Sequence, residues 1–339
     1  MRAVERLTTA AVLVLTLLPG AARAQDANAY DEQMREGERQ IARHDFPTAL
    51  ENYKRAFAAS KKTSAEAALG LAAAYRGLGD YKRVVDAAGD ALKLAGDNRR
   101  LQADAHNLRG SALFALSEKP GDKKLQEAET EFRAAVDAND ALPAARYNLA
   151  MTLFKLDRDD EGLREMQTYV DRAPAGLDVS KAKAILADPR RAHFTFAPEF
   201  SFTSRDGEDF SSDGLKGKTV VLDFWGSWCG PCVASMPDMI KLHKKYAEQG
   251  VVFLGIAKDK QQDWERFIDK NKLAWPQYLD AGNRVLHQFA ITGYPTYIVL
   301  DGEGIVRLRK MGYGRDTDGQ IEKAIKDALK RPPDRIPNP

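Results

Sequence analysis

Between about Tyr30 and Pro174, apolar residues recur every three or four positions with charged residues between them. β-Branched runs are almost absent, so the pattern predicts amphipathic helices. The pattern also repeats. Asp45-Phe46, Ala49, Tyr53 and Ala56 return as Asp80-Tyr81, Val84, Ala88 and Ala91, 35 residues later at every position. Ala128, Phe132 and Ala135 return as Gly162, Met166 and Tyr169, offset by 34 residues. Upstream of these, Leu71-Ala72-Tyr75, Gly110-Leu113 and Leu149-Ala150-Leu153 form a second recurring set, and Pro174 closes the last unit.

A 34-residue period with small residues where paired helices would touch resembles the tetratricopeptide repeat (TPR). In such arrays each helical hairpin buries its apolar side on the next. About four repeats fit within residues 25–176. The first lacks a large residue early in its first helix, and the third carries an insertion around "SEKPGDKKLQ". An irregular helical bundle is the competing reading. Residues 177–195 read as a capping helix, "DVSKAKAILAD", and a linker. The resemblance implies a surface for a bound protein or peptide, although such an array equally serves as a spacer or dimer surface.

Around Pro189–Pro198 the period changes from helical to alternating. "FTFAPEFSFTSRDGEDFS" reads as a hairpin and "KTVVLDFWG" as a buried strand. A helix through "PDMIKLHKKYAEQG" closes on Gly250, and "VVFLGIAKD" is a second strand. Then come a helix over "QQDWERFIDKNKL", a hairpin over "TYIVLDGEGIVRLRKMG" and a last helix over "GQIEKAIKDALK". Residues 196–330 therefore predict an α/β domain with a mixed sheet flanked by helices. The fold class is multidomain, an all-α repeat array followed by this domain, with a disordered tail at 331–339.

Composition changes this picture at one end only. The chain has 339 residues and a net charge of +2, which argues against nucleic acid as the main partner. Its first residues run from Arg2 and Arg6 through "AAVLVLTLLPGAA" to Ala22-Arg23-Ala24, the order of a secretory signal peptide spanning residues 1–24. The alternative is an uncleaved anchor, but Pro19-Gly20 interrupts a run already shorter than a bilayer span. Cleavage after Ala24 would leave a neutral mature chain without a membrane span, exported to a periplasm or beyond.

Both cysteines, Cys229 and Cys232, lie in "FWGSWCGPC". A zinc site wants four ligands, and the five histidines show no paired spacing. A c-type haem site would need His where Val233 stands. A purely structural disulfide closing so small a ring would add little stability. Position favours a redox couple. The pair lies where a strand ends and a helix begins, with Pro231 suited to the first helical turn. The positive end of that helix would favour the Cys229 thiolate, and Cys232, one turn in, could attack a mixed disulfide there.

"VLDFWGSWCGPC" resembles the thioredoxin active site. Pro237 matches that family's helix proline, "TGYPT" its cis-proline loop at Pro295, and Gly312 its glycine near the site. Residues 196–330 resemble the exported TlpA-like, or redoxin-like, branch. The resemblance implies Cys229 as attacking thiolate and Cys232 as resolving thiol, joined as a disulfide when oxidised. It implies Asp223 as a buried proton acceptor, Trp228 as a docking surface, Gly230 and Pro231 as the spacer, and Trp225 as core. Pro295 in cis would leave the Thr292–Tyr294 backbone free to pair with an extended substrate. The branch commonly has Asn at the place of Asp223, so in this respect the site leans toward thioredoxin proper; it often has an acid where Ser235 stands, which only weakens the match to the branch. The peroxiredoxin pattern Pro-x-x-x-Thr-x-x-Cys is absent, which argues against peroxidase activity.

The implied activity is thiol-disulfide exchange, in the reducing direction, with protein clients selected or held by the repeats. An electron donor would be required, and no metal or other cofactor. The alternatives are an adaptor whose thioredoxin-like domain is a redox-gated binding module, and a dedicated apocytochrome c thiol reductase.

Overall fold

The structure, a computed structural model, describes residues 19–119, 121–176 and 178–330, with side chains from residue 28. The expected signal segment lies mostly outside the described residues, as does the tail at 331–339. The chain divides into two compact units between Ala192 and His193.

The first unit is all-helical. Its helices are α1 (Pro19–Ala42), α2 (Phe46–Ala59), α3 (Ala65–Gly77), α4 (Tyr81–Leu94) and α5 (Arg99–Leu116). They continue as α6 (Lys123–Ala138), α7 (Pro143–Lys155), α8 (Asp159–Arg172) and the short α9 (Val179–Ala187). Polar caps define the starts: Asp45, Ser64, Asp80, Asn98 and Asp122 each accept a backbone N–H from the first turn of α2 to α6. The recurring Asp45-Phe46 and Asp80-Tyr81 are thus a cap and the first helical residue.

Helices pack chiefly on their neighbours in sequence, as a stacked array does. The recurring small and large positions are the buried ones: Ala49, Tyr53 and Ala56 on α2, Val84, Ala88 and Ala91 on α4, and Ala128, Phe132 and Ala135 on α6. Large rings seat on glycine. A Cβ added at Gly110 would lie 2.8 Å from the Phe132 ring, and one at Gly162 2.7 Å from Phe154. α9 closes the stack, burying Val179, Ala182 and Ile185 with Tyr147, Met166 and Tyr169. Among the described residues no helix is long and apolar enough to cross a membrane.

The second unit is built on a five-stranded sheet of β3 (Val220–Trp225), β4 (Val252–Ala257), β5 (Gln277–Leu279), β6 (Thr296–Leu300) and β7 (Val306–Met311), with β1 (Ser201–Thr203) and β2 (Asp209–Ser211) forming a separate hairpin. The order is β5-β4-β3-β6-β7, with β3, β4 and β5 parallel and β6 and β7 antiparallel to their neighbours. β3 is central and buried along its whole length, as its unbroken apolar run requires. Val221, Trp225, Tyr297 and Val299 share one face with α10 (Gly230–Tyr246), α11 (Gln261–Asn271) and α13 (Thr317–Leu329). Leu222, Phe224, Ile298 and Leu300 share the other with the phenylalanines of β1 and β2 and with α12 (Arg284–Gln288).

Three features differ from the sequence reading. The predicted hairpin over 194–211 is confined to β1 and β2. Phe196 instead bridges Ile305, with the Ala197 N–H on the Gly304 carbonyl at 2.8 Å. Pro198, which has no N–H for a ladder, separates the two pairings. β5 and α12 escaped prediction because three and five residues are too few to show a period.

Candidate active site

Cys229 is the N-cap of α10 and sits just beyond the end of the central strand β3. Its Sγ accepts the Cys232 N–H at 3.2 Å. Gly230 and Pro231 are the first two helical residues, and Pro237 lies inside the helix. The two cysteines are joined as a disulfide. Cys232 is fully buried, whereas Cys229 keeps a small exposed surface, so an incoming sulfur can reach only Cys229. In the reduced protein the free N–H groups and positive end of α10 would stabilise a thiolate at Cys229.

Asp223 lies on β3, six residues before Cys229, and is 2% exposed. Neither of its carboxylate oxygens has a hydrogen-bond partner among the described residues. Burial alone pushes its pKa up to about 7. It shares the sheet face on which α10 packs, the side of the molecule that buries Cys232. Trp225, two residues on, is fully buried and donates its indole N–H to Gln277 Oε1 at 3.1 Å. Ser235 is buried one turn beyond Cys232 and donates to the Cys232 carbonyl at 2.8 Å.

Around the sulfurs the surface is apolar. Trp228 is 61% exposed and meets Tyr294 edge to face at 5.5 Å. Val233, the residue after Cys232, is exposed, and so is Met311, whose Sδ lies 3.8 Å from Thr292 Oγ1 on the loop that leads to Tyr294. The Tyr294–Pro295 peptide is cis. Among the described residues no backbone hydrogen bond engages Thr292 or Tyr294. The Pro295 carbonyl accepts the Gly312 N–H at 2.7 Å, and Gly312 has φ of 81°, a left-handed conformation that suits glycine.

Residues 258–260 join the site without having been anticipated. Asp259 accepts the Ser227 N–H at 2.6 Å, and the Lys258 carbonyl accepts the Trp228 indole N–H at 2.7 Å. These bonds fasten the segment leading into Cys229 to the end of β4. An acid just past a strand is the only signal the sequence offers for them. Among the described residues no group of three or more His, Cys, Asp or Glu side chains could hold a metal ion.

Residues 195–309 match the sequence profile of the AhpC/TSA family. The chain is 32% identical over 131 residues to the thiol-disulfide oxidoreductase ResA of Bacillus anthracis, a stretch covering 38% of this chain and 75% of that protein. It belongs to the ResA family of thiol-disulfide oxidoreductases. A second relative is the thioredoxin-like protein YneN of Bacillus subtilis, 36% identical over 115 residues, 33% of this chain and 66% of YneN. Among solved structures, a putative thiol:disulfide interchange protein DsbE from Chlorobium tepidum is 28% identical and covers 40% of this chain and 97% of its own, with a TM-score of 0.38. The AhpC/TSA match lies within the second unit, which also holds the sheet and the site described above. As the sequence implied, this ResA-family chain joins a helical array to a thioredoxin-like mixed sheet.

Proposed function

We propose that the chain is an exported reductant of protein disulfides whose reacting pair is Cys229 and Cys232. The observation that carries the reading is the asymmetry of the pair: one cysteine keeps a small exposed area at a helix N-terminus, and the other is fully buried over a sheet face that holds an ionisable carboxyl. The Cys229 thiolate attacks one sulfur of a client disulfide, forming a mixed disulfide and expelling the client's first thiolate. Asp223 takes the Cys232 proton, directly or through water. The Cys232 thiolate then attacks Cys229 Sγ, closing the Cys229–Cys232 disulfide and releasing the client's second thiolate. Two electrons pass to the client, and a donor dithiol must return them. A carboxyl titrating near 7 is suited to taking and giving back that proton at neutral pH.

Trp228, Tyr294 and Met311 offer the client an apolar platform, and the unpaired backbone at Thr292 and Tyr294 offers hydrogen bonds to an extended segment. The helical array, residues 25–176 with the α9 cap and linker at 177–195, holds or selects the client. The thioredoxin-like domain is assigned to residues 196–330. The Gly-Pro spacer and the Asp at 223 favour the reducing direction. Export rests on the order of residues 1–24.

Cys232→Ser removes the resolving thiol, so mixed disulfides should accumulate. Expressed with its own leader, this variant is expected in the exported fraction beginning at Gln25, with clients attached through dithiothreitol-sensitive bonds. Cys229→Ser should carry none. Equal adducts in both variants, or none in either, would sink the exchange reading; a retained leader would sink only the export.

A further inference from the structure

The turn from β3 into α10 is closed from outside by residues 258–260. The Lys258 N–H donates to the Trp225 carbonyl at 3.0 Å, which carries the β3–β4 ladder one residue past the end of β4. The Lys258 carbonyl then accepts the Trp228 indole N–H at 2.7 Å. Both partners of that bond lie over Gly226. A Cβ there would stand 2.6 Å from Trp228 Nε1 and 2.9 Å from the Lys258 carbonyl oxygen, so no side chain fits beneath the contact. The Gly226 carbonyl in turn accepts the Cys229 N–H at 3.1 Å.

Asp259 supplies the other half of the closure. One carboxylate oxygen accepts the Ser227 N–H at 2.6 Å, and the other accepts the Lys260 N–H at 2.8 Å. An aspartate just before a helix ordinarily caps it. Here α11 begins at Gln261 with Lys260 as its N-cap and no side-chain cap bond. Asp259 is turned instead toward Ser227, 32 residues away in sequence. An acid that forgoes its own helix for a distant backbone group marks a constraint set by function. Ser227 and Trp228 are the two residues directly before Cys229, the N-cap of α10. Held at one backbone N–H and one indole N–H, they fix where α10 starts and how the Trp228 ring stands against Tyr294.

We infer that Asp259 is a positioning residue for client capture, its carboxylate holding the Ser227–Trp228 segment so that the Trp228 ring and the Cys229 sulfur meet an extended client together. This role rests on the proposed exchange activity. It adds a residue outside the cysteine motif that acts through backbone N–H groups, and no covalent bond changes at Asp259.

Asp259→Ala and Asp259→Asn are compared in the full chain carrying Cys232→Ser, which leaves Cys229 as its one thiol. Asn keeps an acceptor oxygen for the Ser227 N–H and loses the charge, whereas Ala loses both. Two rates of Cys229 are followed at pH 9, above the ordinary thiol pKa of about 8.5. One is mixed-disulfide formation with a pair of peptides joined by a disulfide, which needs the platform. The other is alkylation by iodoacetamide, which needs only the sulfur. Asp259→Ala should slow the peptide reaction about tenfold and leave alkylation within about twofold of the parent. Asp259→Asn should recover most of the peptide rate. By hydrogen exchange, the Ser227 amide should open several-fold more often in the Ala variant than in the Asn variant. A general loosening of the fold would change both rates alike. An unchanged peptide rate, equal changes in the two reactions, or no recovery in the Asn variant would overturn the role of Asp259. A parent protein that alkylates but forms no mixed disulfide would instead sink the exchange activity itself, and would show this before either variant is compared.

Discussion

A carboxyl with no partner inside a sheet core is a stability problem as well as a catalytic device. Asp223 is raised from an ordinary value near 4 to about 7 because burial penalises its charge. Between those two pH values the folded protein holds a proton that the unfolded chain has lost. The contribution of Asp223 to stability is therefore greatest below pH 4, falls as pH rises toward 7, and is level beyond. Asp223→Asn removes the charge, so its advantage over wild type should grow across that window to about 4 kcal/mol at pH 8. Urea unfolding at pH 4 and pH 8 checks this, and an advantage independent of pH would count against a buried ionisation. The sequence marks Asp223 by its distance from Cys229, because a charge in an otherwise apolar strand stands out. Asp259 is less legible: in "AKDKQQ" an acid just before a helix reads as its cap, and only the fold brings it to Ser227.

At the scale of elements, what repeats can be read and what is short cannot. The α2, α4, α6 and α8 positions were visible because burial recurs at a fixed offset, whereas β5 and α12 hold too few residues for any period. The repeat has a steric basis in the rings seated on glycine. Phe132 is almost fully buried and would stand 2.8 Å from a Cβ at Gly110. Gly110→Ala should therefore force α5 and α6 apart at a cost of about 1–3 kcal/mol, despite the better helix propensity of alanine. Loss of helical circular dichroism on heating would begin at a lower temperature than in wild type; an unchanged or later onset would show that the ring yields freely. The loop at 258–260 belongs to this scale too. Its hydrogen bonds to Ser227 and Trp228 depend on where β4 ends beside β3, which no local pattern announces.

For the whole molecule, the helical and the alternating stretches of the sequence correspond to two compact units, and the AhpC/TSA match falls in the second. The chemistry rests on one pair of sulfurs, and its central requirement is that this pair exchanges electrons reversibly. The most direct test equilibrates the full chain in a graded series of reduced and oxidised dithiothreitol and counts alkylatable thiols by mass. One two-electron transition is expected, both thiols appearing together, centred at about −270 mV as for thioredoxin. A pair that never titrates would contradict the exchange activity, and a midpoint near −120 mV would contradict the reducing direction.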